Sequence, residues 1–256
     1  MACGRHGSAA SHRADGLIVA QAAEEVAAFS FAYQPIVDAE ARRTFAYEAL
    51  VRGPSGEPAS FVLSRLQGTA LHVFDRDARV AALRLASRLG LRSLLSLNFM
   101  PGSLHSLPDA VDAMLRAAEE VAMPVRQLLL EVTEGEIIHD VRHFADRVNA
   151  YRASGLRLAI DDFGAGYSGL NLLAEFQPDA IKLDIALVRG IDGHGARQAI
   201  VRALIQVCDD LGIEVIAEGV ETPAEFHWFQ DRGVRLFQGY LFGRPAFEAL
   251  VDPLWP

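Results

Sequence analysis

Residues 159–170 read AIDDFGAGYSGL. The mostly apolar run Leu156–Ile160 leads into two adjacent carboxylates, Asp161 and Asp162, and Gly164 and Gly166 follow at once. A short apolar run closed by turn residues reads as a buried strand. A plain turn needs only one Asp beside a Gly. Two like charges about 4 Å apart repel by about 4 kcal/mol at an effective dielectric of 20. The pair therefore marks a strand end where something positive belongs, and the glycines mark a loop that can shift.

The same grammar repeats outward from this stretch. Strands are expected at Phe31–Val37, Phe45–Val51, Leu94–Asn98, Leu128–Val132, Leu156–Asp161, Ala180–Leu183, Glu214–Ala217 and Leu236–Gln238. Helical patterns fall between most of them, at Asp75–Leu89, Ile137–Ala153, Ala196–Leu211 and Pro223–Asp231. In the first of these Val80, Leu83 and Leu85 are apolar, and Arg76, Arg79 and Arg84 are assigned to the outer face. Thr222 before Pro223 suits an N-cap and a first-turn proline. The first two strands are too close in sequence for a crossover helix, so they form an antiparallel pair. The repeated strand–helix units that follow imply a mostly parallel sheet. A closed barrel is the simplest arrangement, with an open doubly wound sheet as the alternative. No strand is followed by G-x-G-x-x-G, which argues against a dinucleotide fold.

Length and composition agree. The chain has 256 residues, 51% of them hydrophobic, and a single α/β barrel commonly has about 250 residues. Residues 1–16 are small and polar, without the apolar core of a signal peptide, and are expected as a flexible tail before a folded domain at 17–256. A net charge of -9 excludes a basic surface for DNA or RNA polymers, yet leaves a nucleotide substrate open where metal ions invert the local field. Two cysteines, Cys3 and Cys208, make no disulfide framework and suit a reducing, cytoplasmic setting. No stretch approaches the roughly 18 apolar residues of a membrane span.

Polar residues interrupt the strands at their ends: Glu48 in YEALVRG, Asn98 in LLSLN, Glu131 and Glu134 in LLLEVTE, Asp161 and Asp162, Lys182 in AIKLD, Glu218 and Glu221 in VIAEGVE, and Gln238 in LFQGY. Any one of them alone is ordinarily a helix cap or a solvated loop residue. In a barrel the strand ends converge on one face, so these residues meet. Five carboxylates (Glu48, Glu131, Asp161, Asp162 and Glu218) then share one mouth with one lysine. Oxygen-rich clusters suit Mg²⁺ or Mn²⁺. A single Mg²⁺ usually takes one or two carboxylates, so this set favours two ions, with Asp161 able to bridge them. The eight histidines show no H-x-H or H-E-x-x-H spacing.

The segments YEALVRG, LSLNFMP, LEVTEGE, AIDDFGAGYSGL, PDAIKLD, VIAEGVET and QGYLFGRP resemble, in order, the signature segments of EAL domains, phosphodiesterases that hydrolyse cyclic di-GMP. The resemblance runs from about Phe31 to Pro245. It implies a modified (β/α)8 TIM-like barrel whose first strand is antiparallel, and hydrolysis of cyclic di-GMP to linear pGpG by two-metal activation of water. It implies Glu48, Asn98, Glu131 and Asp161 as ligands of one divalent cation, and Asp161, Asp162 and Glu218 as ligands of the other. Lys182 matches the residue that holds the attacking water, Glu221 and Gln238 match groups that order it, and Glu134 matches an anchor of the Asp-Phe-Gly loop. Gln34, Arg52 and Phe242 match substrate positions, with Arg52 suited to a phosphate and Phe242 to stacking on guanine. A homodimer is also implied. Tyr167 and Leu170 are expected to pin the far end of the loop. The chain departs from the family pattern at Ala165 and Gly169, where most members have Thr and Ser, and at Gly53, where most have Trp. The alternatives are an EAL domain that binds cyclic di-GMP or a protein without cutting, and an unrelated metal-dependent barrel hydrolase or lyase.

Overall fold

The hairpin that opens the fold is set by a short polar turn. Asp38 accepts a hydrogen bond from the Ala41 backbone N–H at 3.0 Å, and Arg42 takes a positive φ of 48°. This turn joins β1 (Ser30–Asp38) to β2 (Arg43–Arg52) in antiparallel register, with Gln34 opposite Glu48. The computed structural model describes residues 28–134, 141–166 and 169–256. The expected tail and its boundary at residue 17 lie outside them.

Six further strands follow: β3 (Leu94–Asn98), β4 (Leu128–Thr133), β5 (Arg157–Phe163), β6 (Ala180–Leu183), β7 (Glu214–Ala217) and β8 (Leu236–Gln238). Strands β2 to β8 pair in parallel, each with the next. β1 closes the ring by pairing antiparallel with both β2 and β8. The chain is thus a closed α/β barrel with a reversed first strand, and the open doubly wound sheet is excluded. A two-residue strand, β9 (Ala246–Phe247), adds to β1 outside the ring.

Side-chain alternation along the strands sorts the interior into layers. Ile36, Ala46, Leu129, Ala159, Ala180, Ile216 and Leu236 form one apolar cluster, with Leu94 packed against it. That is one residue from every strand, and it plugs the barrel. Residues of the other parity face the helices. Leu95, Leu97, Leu128, Leu130, Val132 and Leu158 join one outer core, and Ile160, Ile181, Leu183, Val215, Ala217 and Phe237 join the other.

The helices are α1 (Ala59–Leu63), α2 (Thr69–Arg88), α3 (Ser103–Ser106), α4 (Asp112–Glu120), α5 (Val141–Arg152), α6 (Gly169–Glu175), α7 (Ile185–Val188), α8 (Gly195–Leu211) and α9 (Pro223–Gln230). The short ones lack the multi-turn periodicity that betrays a helix in sequence. Helix α9 starts as expected, with Thr222 as N-cap in a reciprocal capping box with Glu225 and Pro223 in the first turn. Among the described residues no helix is long and apolar enough to cross a membrane.

The outward assignment of Arg79 is corrected. Arg79 is 2% exposed, pairs with Asp75 one turn earlier at 2.5 Å, donates to the Ala110 carbonyl at 2.8 Å and lies over the Phe99 ring. An i,i+4 acid partner and an aromatic face let the guanidinium sit inside. Asp75→Ala would leave this charge buried and unpaired, at a cost of about 3–5 kcal/mol. In urea unfolding, the Asp75→Ala/Arg79→Met double variant is expected to recover part of that loss; equal midpoints for wild type and Asp75→Ala would refute the pair's structural role.

Candidate active site and metal centre

One step of two residues above the apolar plug, each of the eight ring strands, or for β7 the residue just past its end, places a polar side chain. Ala46 gives way to Glu48, Leu94 to Ser96, Leu129 to Glu131, Ala159 to Asp161, Ala180 to Lys182, Ile216 to Glu218 and Leu236 to Gln238. On β1 the count runs backwards, from Ile36 to Gln34, because that strand is antiparallel. A period of two and a reversed strand thus assemble an eight-member polar ring over the plug.

Lys182 is its hub. The residue has no exposed surface, and its Nζ lies 2.8 Å from Glu218, 3.0 Å from Glu131, 3.1 Å from Asp161 and 3.5 Å from Glu48. Burial works against its charge, but Glu131, Glu218, Glu48 and Asp161 outweigh it and hold the ammonium well above the usual lysine range. The carboxylates are under-neutralised in return. Burial, then the charges of Glu48 and Asp161, push Glu131 well up despite Lys182. Burial, then Asp161 and Glu48, push Glu218 up to about 8.

The ring closes by hydrogen bonds. Gln238 Nε2 donates to Glu48 at 2.6 Å and to Gln34 Oε1 at 3.4 Å, and Gln34 Nε2 donates to the Gly243 carbonyl at 3.0 Å. Ser96 Oγ donates to Glu131 at 2.5 Å. Asn98, at the end of β3, reaches Glu48 at 3.4 Å. Glu48 itself comes from the middle of the ten-residue strand β2, not from its end. Sequence reasoning missed Ser96, although it precedes Asn98 by two and so shares its face.

Asp162 needs a different device. Adjacent strand residues face opposite sides, so Asp161 and Asp162 cannot both look into the mouth from a regular strand. The β5–β6 register slips between Ile160 and Phe163, and Asp162 takes φ 52°, a left-handed conformation that Asp tolerates better than most residues. Each of Asp161, Asp162 and Glu218 then offers a carboxylate oxygen within 4.8 Å of the others. Burial and the charge of Asp161 raise the Asp162 carboxyl. Three hard oxygen donors this close, with one ammonium for the whole cluster, match the needs of Mg²⁺ or Mn²⁺.

The loop beyond is tied to Glu134. The Gly164 N–H donates to Glu134 Oε2 at 2.6 Å, and the Glu134 N–H donates to the Asp161 carbonyl at 2.9 Å. A Cβ at Gly166 would meet Glu134 Oε1 at 2.9 Å. Tyr167 lies outside the described residues. Leu170 is 60% exposed, so it does not pin the loop by packing.

Three other positions have surroundings that the sequence did not show. Phe242 is fully buried, with ring centroids 5.5 Å from Phe226, 5.8 Å from Phe237 and 6.4 Å from Trp255. Its ring has no face left for a base, which corrects the stacking role. Glu221 is exposed and makes two 2.7 Å contacts with Arg189. Arg52 is partly buried, with Nη1 donating to the Val51 carbonyl at 2.8 Å. Arg52 and Asn98 line a mostly apolar cavity of about 300 Å³ between β2, β3 and α2, which also touches Phe74 and Asp75. Nothing in the spacing of these residues announced a cavity, because it forms between elements distant in sequence.

The comparisons with known proteins agree with this geometry. The EAL domain model matches residues 19–245. The blue light- and temperature-regulated antirepressor BluF of Escherichia coli K12 is 36% identical over 227 residues, 88% of this chain and 56% of BluF. The probable cyclic di-GMP phosphodiesterase PdeN of the same organism is 32% identical over 230 residues, 85% of this chain and 43% of PdeN. The chain thus spans about half or less of the length of these relatives. A standalone versatile EAL protein from Vibrio cholerae O395, solved in its c-di-GMP-bound form, superposes with a TM-score of 0.84 at 43% identity, covering 88% of this chain and 95% of that one. Klebsiella pneumoniae BlrP1 in its manganese and cyclic di-GMP complex gives 0.84 and 43%, covering 89% of this chain and 58% of BlrP1. Signature segments, a barrel with one reversed strand and a match over residues 19–245 converge: the chain belongs to the EAL domain family.

Proposed function

We propose that this chain is a cytoplasmic phosphodiesterase that hydrolyses cyclic di-GMP to linear pGpG with two divalent cations, Mg²⁺ or Mn²⁺, and that it works as a homodimer. The observation that carries the reading is the polar ring. Five carboxylates face one ammonium at the mouth of a barrel, and three of them, Asp161, Asp162 and Glu218, each bring an oxygen within 4.8 Å of the others. Asp161, Asp162 and Glu218 would hold one cation, and Glu48, Asn98, Glu131 and Asp161 the other. When bound, such ions supply Lewis acidity to phosphate oxygens and acidify water.

The chain's own groups do the rest. Arg52 pairs with a substrate phosphate, and the cavity beside it offers an apolar slot for one base. Gln34 and Gln238 orient polar atoms at the ring's rim. Lys182 holds the attacking water by donating a hydrogen bond and balances charge as it builds on the phosphate. A water proton leaves to bulk solvent as the new P–O bond forms, and the departing ribose oxygen takes a proton from solvent as the other P–O bond breaks. Glu134 keeps the loop after β5 in register with Asp161.

A second reading has one observation in its favour: BluF, a relative at 36% identity, is named an antirepressor. On that reading the domain binds cyclic di-GMP or a protein and does not cut. Turnover separates the two. With cyclic di-GMP and Mn²⁺, linear pGpG accumulates on the first reading only. Glu48→Ala and Asp161→Asn are expected to fold and to fall below about a tenth of wild-type activity; higher retained activity removes them from the site.

Lys182 acts on water and not on the nucleotide. In metal-replete buffer Lys182→Ala is expected to lose about 10²–10⁴-fold in turnover while calorimetry still detects cyclic di-GMP binding. Loss of both together would contradict the assignment.

The protonation of Glu218 gives a test without substrate. Its carboxyl ordinarily titrates near 4.5 and here is pushed up to about 8 by burial and then by Asp161 and Glu48. Between those values the unfolded chain has released a proton that the folded chain still holds, so stability falls as pH rises. In EDTA the melting temperature is therefore expected to drop from about pH 5 to pH 8. Mn²⁺ at 100 times its dissociation constant adds about 2.7 kcal/mol and flattens that slope. A flat profile in EDTA would contradict the under-neutralised cluster.

A further inference from the structure

We propose that Glu225 is a positioning residue whose carboxylate braces the segments that follow β6 and β7, fixing Glu218 for the divalent cation; the inference rests on the functional reading above. Glu225 is on α9 and 2% exposed. Its two oxygens serve two different segments. Oε1 accepts the Gly190 N–H at 2.8 Å, in the turn after α7. Oε2 accepts the Glu221 and Thr222 N–H groups at 2.9 and 3.1 Å, in the loop after β7. Lys182 comes from the strand before the first segment, and Glu218 begins the second.

The loop that carries Glu218 has little freedom once this brace is made. Gly219 has φ +67°, and a Cβ there would meet Ile185 Cγ1 at 2.2 Å, so the loop lies against α7. The Val220 N–H donates to the Gln238 carbonyl at 3.0 Å, and the Leu241 N–H donates to the Val220 carbonyl at 3.1 Å. Glu218 is therefore held from the β8 side by Val220 and from the β6 side by Glu225. Arg189 adds an outer clasp, with its two 2.7 Å contacts to Glu221 and a 3.9 Å approach to Glu225. A buried carboxylate that spends both oxygens on backbone N–H groups of two loops is a charge-assisted crosslink. A glutamine has one acceptor oxygen and must release one segment.

The brace is distinguishable from a helix cap, because Thr222 supplies the other half of the capping box. Thr222 Oγ1 accepts the Glu225 N–H at 3.2 Å, and removing it leaves the carboxylate's bonds in place. Mn²⁺ binding to the full chain by calorimetry is the readout, with melting in EDTA and steady-state kinetics beside it. Glu225→Gln is expected to weaken Mn²⁺ binding by about 10–100-fold and to lower kcat, with KM for cyclic di-GMP within about twofold. Thr222→Ala is expected to lower the melting temperature and leave Mn²⁺ affinity within about twofold. Arg189→Ala, a surface change that leaves the barrel intact, is expected to weaken Mn²⁺ binding by about threefold, and it decides the matter where Glu225→Gln does not fold. Unchanged Mn²⁺ affinity in the folded variants overturns the brace, as does an equal loss in Thr222→Ala. A wild type that binds Mn²⁺ without turnover overturns the hydrolase reading alone. A wild type that binds no Mn²⁺ overturns both.

Discussion

A single buried ammonium organises this barrel. Lys182 has no exposed surface and stands within 3.5 Å of four carboxylates, three from other strands and Glu218 from just past the end of β7. Burying an ammonium costs several kcal/mol after relaxation, so the lysine cannot sit there without its partners. The partners in turn exceed what it can neutralise. Glu131 and Glu218 respond with raised carboxyl affinities for protons. The cluster thus carries an unmet demand for positive charge, satisfied either by protons or by cations. A site meant only to hold the barrel together would match its charges one to one.

The scaffold below supplies what the cluster cannot: rigidity that does not depend on charge. Ile36, Ala46, Leu129, Ala159, Ala180, Ile216 and Leu236 fill the barrel immediately beneath the polar ring. Small residues at Ala46, Ala159 and Ala180 sit under Glu48, Asp161 and Lys182, while Leu129, Ile216 and Leu236 fill the remaining space. Close packing of this layer leaves the strands no room to splay as the carboxylates repel. The repulsion is therefore held as electrostatic potential and not relieved by movement.

Much of this was legible in the sequence because it rests on period and order. Strands β3, β6, β7 and β8 run as their apolar runs and turn residues indicate, and the close spacing of the first two strands gives the antiparallel pair. Most of the polar ring follows from which residues interrupt those runs. What was not legible depends on contacts between distant segments. Arg79 is read as exposed from helical spacing alone, and it is buried because Phe99 and the Ala110 carbonyl, on other elements, receive it. Phe242 is read as a stacking ring from its motif, and it is consumed by Phe226, Phe237 and Trp255. Ser96 was findable, since it shares a face with Asn98, but a hydroxyl among carboxylates carries no signal of its own. Glu225 carried no signal in the sequence, because its partners Gly190 and Glu221 reach it only in the fold.

The paired acids of AIDDFGAGYSGL are resolved by the backbone and not by the side chains. A regular strand would send Asp162 outward among the helices, where a carboxylate has no partner to offset its burial. The register slip after Ile160 and the left-handed φ of Asp162 turn it back toward the mouth. That conformation is uncommon for a residue with a side chain, and strain of this kind persists only where the surroundings enforce it. Here they do. Asp162 N–H donates to Asp161 Oδ1 at 3.0 Å, and Gly164, at φ +97°, leaves no room for a Cβ because Leu187 would stand 2.4 Å away. Glu134 takes the Gly164 N–H on the other side. The glycines therefore serve close approach as well as motion: the loop can be held so tightly against Leu187 and Glu134 only because it has no side chains there. The second acid and the glycines are one device, since a carboxylate forced back into the mouth requires a following turn that no bulkier residue can make.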